Sequence, residues 1–254
     1  MKTKVVTALF DIGREKYDGR SIENYLDWFA KTLQLNCEFV VFTEDKFKDF
    51  VFEHCPSATV IIQKLEEIPY YELNDTINRI IHSAEYRSKM LDTDRIECNL
   101  SLYNVIQYSK FGWLSHTMNR FPDYDRFFWM DAGCSRFFED VDISKPWPAK
   151  NILDDKVIIQ NNVNFNWLFP SLSDEYIWSN QSIVVGTLFG GSRGSVSKLI
   201  DNIKMFLARI LSKNIINNEQ FALAYILKYL PNNFLVYSEL NGTHLPLFKY
   251  LATE

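Results

Sequence analysis

The sequence predicts an α/β domain with a mixed, mostly parallel central sheet and helices on both faces. Three observations predict it. Short continuous apolar runs recur along the chain, as strands buried on both faces of a sheet do. Stretches of helical periodicity separate them, the alternation of a βαβ build. One run, Phe127-Phe128-Trp129-Met130, ends in a lone carboxylate, Asp131, followed by the small residues Ala132 and Gly133. Open α/β sheets bind ligands in the crevice beyond the carboxyl ends of their strands. An acid there, ahead of residues that let a ligand come close, suits a metal ion held on a phosphate. The competing reading is that Asp131 caps a turn and Gly133 shapes it.

Taken in order, Lys4–Phe10 reads as a first strand, rich in β-branched residues, and runs into the loop Asp11-Ile12-Gly13-Arg14. The loop after a first strand commonly meets a nucleotide. Arg14 can fork onto a phosphate and Asp11 can accept from a base or ribose; a loop ion pair between the two is the alternative. Ser21 starts a helix whose apolar face carries Ile22, Tyr25, Leu26, Phe29 and Leu33. A second strand over 37–43, a short helix over 46–54 and a third strand over 58–62 follow. The polar stretch 70–90 reads as a helical excursion with a solvated charged face.

Residues 100–111 form a helix that closes in Ser109-Lys110-Phe111-Gly112, with 114–119 extending it. Lys110 there can reach a phosphate or base, or simply complement the dipole of a last helical turn. The central strand 127–133 comes next, then a polar loop over 140–156 and a strand over 157–160. In 161–167, four asparagines interleave with aromatics, a composition that suits sugars and also ordinary turns. A strand over 183–189 leads into Gly190-Gly191-Ser192-Arg193-Gly194-Ser195, read as a glycine-rich loop entering a helix over 196–211. Such a loop can cradle an anion or be a plain turn. Asn218 is a suitable N-cap, which puts Glu219 in the first turn of the next helix, either complementing its dipole or standing at a cleft as a base. A short strand over 234–237 and a loop carrying His244 and Pro246 end the chain.

The bulk properties bound the function. The 254 residues, 47% of them hydrophobic and 15% aromatic, supply a large core and show no repeat or linker, so one domain is expected. A net charge of -5 argues against nucleic acid as a partner. No apolar run approaches ~18–20 residues, and Asp11 interrupts the first one, so neither a membrane span nor a secretory signal is expected. Cys37, Cys55, Cys98 and Cys134 are dispersed, which suits buried thiols in a reduced, cytoplasmic protein and gives a zinc site no support.

Together the segments resemble a glycosyltransferase of the A-type fold, whose mark is an Asp-x-Asp-like motif at the end of a buried strand. More narrowly, the chain resembles the HtrL/YibB family, also called the WlaTC/HtrL glycosyltransferases. The resemblance rests on 6–14, 103–110, Trp129-Met130-Asp131-Ala132-Gly133, Gly190-Gly191 and Asn218-Glu219-Gln220, in that order along the chain. It implies a nucleotide-diphospho-sugar transferase fold in a single domain, 1–254, with 1–135 as the nucleotide-binding part and 136–254 as the acceptor-side part. Residue by residue, it places Thr7, Phe10, Asp11 and Arg14 along the nucleotide pocket, and Lys110 at base or phosphate. Asp131 would meet the metal and diphosphate, with Ala132 and Gly133 beside it along the nucleotide sugar. Gly190 and Gly191 would shape the wall near donor sugar and acceptor. Glu219 would serve as an acid or base near the acceptor hydroxyl, and His244 as a late metal ligand.

The implied reaction is transfer of a sugar from a nucleotide sugar to a hydroxyl of a glycan or lipid-linked glycan, assisted by Mn²⁺ or Mg²⁺, as in polysaccharide biosynthesis. Peripheral membrane contact is compatible with it. Gly133 stands where the second acid of Asp-x-Asp would be, which puts the metal in question. That departure favours a second reading, a sugar- or nucleotide-binding scaffold without strong catalysis. A third, a sugar nucleotidyltransferase, lacks the expected Gly/Arg-rich phosphate loop near the N-terminus.

Overall fold

The computed structural model describes residues 1–138, 141–149, 155–179, 181–238 and 245–253. The strands are β1 (Thr3–Leu9), β2 (Phe39–Thr43), β3 (Thr59–Ile62), β4 (Arg126–Met130), β5 (Val157–Asn161), β6 (Val184–Ser192) and β7 (Phe234–Tyr237). The helices are α1 (Glu15–Asp18), α2 (Ile22–Thr32), α3 (Lys48–His54), α4 (Asn74–Ile81), α5 (Ala84–Lys89), α6 (Ser101–Arg120), α7 (Phe165–Leu168), α8 (Arg193–Ser212), α9 (Glu219–Tyr229) and α10 (Pro246–Ala252).

The strands make one seven-stranded sheet in the order β3-β2-β1-β4-β6-β5-β7. β1 pairs in parallel with β2 and β4, β2 with β3, and β5 with β7; β6 alone runs against its neighbours β4 and β5. The expected α/β architecture, a mixed and mostly parallel sheet, is therefore present. The chain leaves β1 toward β2 and β3, then returns to the other side of β1 as β4. That reversal opens a crevice beyond the carboxyl ends of β1 and β4.

The alternation of strand side chains builds a core on each face. Val6, Val40, Phe42, Phe127, Trp129, Ile159 and Phe189 pack on one side with buried residues of α4, α6, α8 and α9. Val5, Leu9, Val41, Phe128, Met130, Ile158 and Leu188 pack on the other with residues of α2, α3 and α10. α6 buries Val105, Tyr108, Phe111, Trp113 and Leu114 around its circumference, so it is a core helix. Among the described residues, no helix is long and apolar enough to cross a membrane.

Several elements differ from the sequence expectation. The 70–90 excursion is two helices, because Ser83 caps α5 by accepting from Tyr86 N and so restarts the chain after α4. The helix expected over 100–111 and its extension over 114–119 form one helix to Arg120, and Gly112 within it lies against Pro69, where a Cβ would sit 2.4 Å from the proline ring. The Gly190-Gly191 stretch is strand, not loop. A Cβ at Gly190 would lie 2.4 Å from Phe127 O, and one at Gly191 2.0 Å from Lys156 O, so the two glycines let β6 pass tightly between β4 and β5. α10, in the stretch read as a loop, packs Leu247, Phe248 and Leu251 against the sheet.

Candidate active site

β4 ends at Met130, and the chain turns through a 3₁₀ segment, Ala132–Phe137. That turn is fastened to α2. Thr32 Oγ1 donates to Ala132 O at 2.8 Å and accepts from Ser135 N at 3.0 Å, while Ser135 Oγ donates to Trp28 O at 2.7 Å. On the other side Asp131 N donates to Thr187 O of β6 at 2.9 Å. The Asp131 backbone is thus held from both flanks, and its side chain stands at the crevice.

The crevice is a cavity of about 390 Å³. Its wall comes from the loop after β1, from α6, from the turn after β4, from Thr187 of β6, and from Glu219 and Gln220 at the start of α9. Trp113 and Trp129 give it an aromatic side, their rings stacked at 5.8 Å with Phe10 continuing the stack at 5.4 Å from Trp113.

Three charged groups converge there. Lys110 Nζ lies 2.7 Å from Glu219 Oε1 and 3.0 Å from Asp131 Oδ1, and donates to Gly186 O at 3.2 Å. The Lys110 and Glu219 side chains are 2% and 1% exposed, Asp131 30%. Trp129 Nε1 also donates to Asp131 Oδ1 at 2.6 Å. Burial by itself would lower the Lys110 pKa, but Asp131 and Glu219 outweigh it and hold the ammonium above its usual range. Burial raises the Glu219 pKa against the pull of Lys110. The two directions agree, because one cation facing two carboxylates leaves one negative charge in excess, and the more buried acid bears the cost.

Glu219 is placed by its cap. Asn218 accepts from Gln220 N at 3.1 Å, and Asn217 Nδ2 anchors the approach by donating to Ile177 O at 2.6 Å. Gly186 makes room, since a Cβ there would lie 2.1 Å from Glu219 Oε1.

Arg14 forms the opposite wall. Its guanidinium lies between the rings of Tyr25 and Tyr103, 5.3 and 5.2 Å from their centroids. It donates to Tyr25 Oη at 2.5 Å and pairs with Asp18, not with Asp11. Burial alone would lower its pKa; the bond to Asp18 reverses that. Asp11 instead accepts from Gly13 N at 3.1 Å and faces Lys46 at 3.5 Å.

Of the residues singled out in the sequence, Phe10, Asp11, Arg14, Lys110, Asp131, Ala132, Gly133 and Glu219 line this cavity. Thr7 is buried within β1, and Gly190 and Gly191 lie within β6; none of the three lines it. His244 lies outside the described residues. Lys110 is mid-helix and buried, so it does not serve a last helical turn. Among the described side chains of the Asn-rich 161–167 stretch none lines the cavity; Asn161 ends β5 with its side chain buried.

Sequence reasoning missed the pairing of Tyr25 and Tyr103 around Arg14, and it missed Thr187 and Arg136. Tyr103 and Lys110 are two turns apart on α6, a spacing that puts both on one face and could have signalled the first. Arg136 lies over Trp28 at 4.6 Å, and a Cβ at Gly133 would sit 3.3 Å from both. The position of a second acid is thus given over to packing.

A divalent ion has a small donor set. Among the described residues no three His, Cys, Asp or Glu side chains gather to hold one. Asp131 Oδ1 is committed to Trp129 and Lys110; Oδ2 takes no hydrogen bond among the described residues. One carboxylate oxygen meets the minimum for an ion that draws its other ligands from a diphosphate and water.

A family model described as "Bacterial protein of unknown function (HtrL_YibB)" matches residues 1–253. No curated protein matches significantly. Among solved structures, the chain is similar to a glycosyltransferase involved in the glycosylation of the major capsid of PBCV-1, at 9% identity and a TM-score of 0.43, over 94% of this chain and 82% of that one. That likeness is too distant to assign a reaction.

Proposed function

The chain belongs to the HtrL_YibB family, and we propose that it is a glycosyltransferase moving a sugar from a nucleotide sugar to a hydroxyl of a glycan or glycoconjugate. The observation that carries this reading is the convergence of Arg14, Lys110, Asp131 and Glu219 on one cavity at the carboxyl ends of β1 and β4. An α/β sheet collects a nucleotide at such a point. The cavity, at about 390 Å³, is of a size that takes much of a small ligand.

Each group has a task in that reaction. As the glycosidic bond breaks, negative charge grows on the leaving diphosphate. Arg14, held rigid between two tyrosines, offers a planar fork to phosphate oxygens. Lys110 offsets one of the two carboxylate charges beside the diphosphate, in a place where water is excluded and charge interactions are strong. Asp131, through Oδ2, would hold Mn²⁺ or Mg²⁺, which when bound neutralises diphosphate charge. The aromatic side formed by Trp113 and Trp129 suits an apolar face of base or sugar. The nucleotide lies against residues of 1–135, and residues of 136–254 close over the sugar and the acceptor. The acceptor is a glycan, with a lipid-linked glycan bringing the protein to a membrane surface.

Thermal melting against nucleoside diphosphates and nucleotide sugars, with and without Mn²⁺, tests the reading. A ligand at about 100 times its dissociation constant adds about 2.7 kcal/mol of stability. One nucleoside diphosphate should stabilise the wild type and fail to stabilise Asp131→Ala, and its release should accompany sugar transfer. Release of pyrophosphate, or no binding by any member, would overturn it.

A further inference from the structure

The guanidinium of Arg14 already holds an anion, and that anion belongs to the protein. Nε donates to Asp18 Oδ1 at 3.2 Å and Nη2 donates to Asp18 Oδ2, so one forked edge grips a carboxylate. Nη1 donates to Tyr25 Oη, and the rings of Tyr25 and Tyr103 flank the group. Three of its five N–H groups are thereby committed. Arg14 lines the cavity, whereas Asp18 is not part of its wall, so the edge held by Asp18 is turned away from a ligand there. Carboxylate and phosphate match the same guanidinium edge, which makes them competitors for it.

The segment that carries Asp18 is built to move. α1 has no buried residue. Gly13 and Gly19 bracket it at φ +65° and +73°, backbone angles that glycine adopts freely, with open space where a Cβ would be. Among the described residues, the one hydrogen bond that joins 14–20 to the rest of the protein is that of Arg14 to Tyr25. Asp18 also has a second cation to turn to, since it accepts from Arg20 N at 3.3 Å and lies 3.8 Å from Arg20 Nε. We infer that Asp18 is a latch: it holds Arg14 out of the cavity, and an incoming diphosphate takes the forked edge from it and frees α1 to swing between Gly13 and Gly19. The inference rests on the reading of the cavity as a nucleoside diphosphate site. Its effect is to weaken the hold on nucleoside diphosphate by the fraction of molecules in which Arg14 is unlatched.

Calorimetric titration with uridine, cytidine, guanosine and thymidine diphosphates tests it. Asp18→Asn keeps the size of the side chain and removes its charge. It should bind the matching nucleoside diphosphate about 10-fold more tightly than the wild type, as a latch closed in about nine molecules of ten requires. Glu23→Gln is the control. It removes an exposed acid of the same cavity wall that makes no bond to Arg14, and it should leave the affinity within about twofold. Amide hydrogen exchange on the wild-type protein needs no variant: residues 14–20 should exchange faster once the nucleoside diphosphate is bound. Weaker or unchanged binding by Asp18→Asn would make Asp18 a support for Arg14 and overturn the inference. An equal gain in Glu23→Gln would trace the effect to bulk charge, and slower exchange over 14–20 would show α1 tightening; either also overturns it, and none of these touches the transferase reading. Failure of the wild type to bind any nucleoside diphosphate overturns both.

Discussion

Replacing Lys110 with Met removes the cation shared by two carboxylates while keeping most of the side-chain volume. Asp131, at 30% exposure, can be solvated, but Glu219 at 1% cannot. Breaking a buried ion pair by deleting one partner typically costs about 3–5 kcal/mol. For a chain of this size each kcal/mol shifts the melting temperature by about 2–4 °C, so a drop of roughly 6–20 °C is expected. The loss depends on pH, and its sign follows from Glu219. Burial already raises the Glu219 pKa in the folded state, and removing Lys110 raises it further. A group whose folded pKa lies above its unfolded value of about 4.3 contributes stability below that value and loses it as pH rises through the folded pKa. Lys110→Met should therefore melt nearest to the wild type at pH 5 and furthest below it at pH 8. Lys110→Met/Glu219→Leu, which removes both buried charges, should recover most of the deficit at pH 8. Circular dichroism melts at the two pH values measure this. A deficit independent of pH, or a double variant no more stable than the single one, would refute the picture of a buried acid neutralised by Lys110.

Other positions give sharper single outcomes. Arg14→Lys keeps the charge but loses the fork and the tyrosine sandwich; nucleoside diphosphate affinity measured by calorimetry should fall about 10- to 100-fold. Its melting temperature should fall as well, since the Arg14 side chain is only 15% exposed and the change gives up its bond to Tyr25. Trp129→Phe preserves stacking on Trp113 and deletes the 2.6 Å bond to Asp131. Loss of a hydrogen bond to a charged group corresponds to about 1.5–3 kcal/mol, to be read as weaker nucleoside diphosphate binding. Gly190→Ala puts a Cβ 2.4 Å from the Phe127 carbonyl, a backbone atom that cannot swing away. Urea unfolding should show a loss of at least about 1–3 kcal/mol, and wild-type stability in this variant would mean that β6 is not so tightly enclosed.

Much of the fold was legible because strand identity is a local property. The runs at Val5-Val6, Phe39–Phe42 and Phe127–Met130 are apolar throughout, which only a doubly covered sheet explains. The position of Asp131 at a strand end was legible for the same reason. The antiparallel course of β6 was not, because pairing direction depends on partners distant in sequence. Gly190 and Gly191 read as turn residues because a glycine needed for close strand passage leaves the same letter as one needed for a bend. Lys110 read equally as a phosphate or base contact and as a helix-end cation, because its burial beside Asp131 and Glu219 is a tertiary fact that no local pattern carries. Arg14 and Asp11 are near neighbours in sequence, yet Arg14 finds Asp18 one helical turn further on. The grouping of Lys110, Asp131 and Glu219 joins three segments, and each residue alone had an ordinary explanation.

The reversed strand also bears on when the protein becomes competent during synthesis. The cavity needs Thr187 from β6 and Glu219 from α9, whereas Arg14, Lys110 and Asp131 are made much earlier. Until β6 slots between β4 and β5, one edge of β4 stays open, and until α9 arrives Lys110 lacks its most buried counter-ion. Chains emerge at about 5–20 residues per second, so the nascent chain spends several seconds or more with an incomplete rim and an unpaired strand edge, the kind of species that pairs wrongly. A ribosome stalled before Glu219 is made would display most of a sheet and no functional pocket, so ligand binding by nascent chains should switch on late and abruptly.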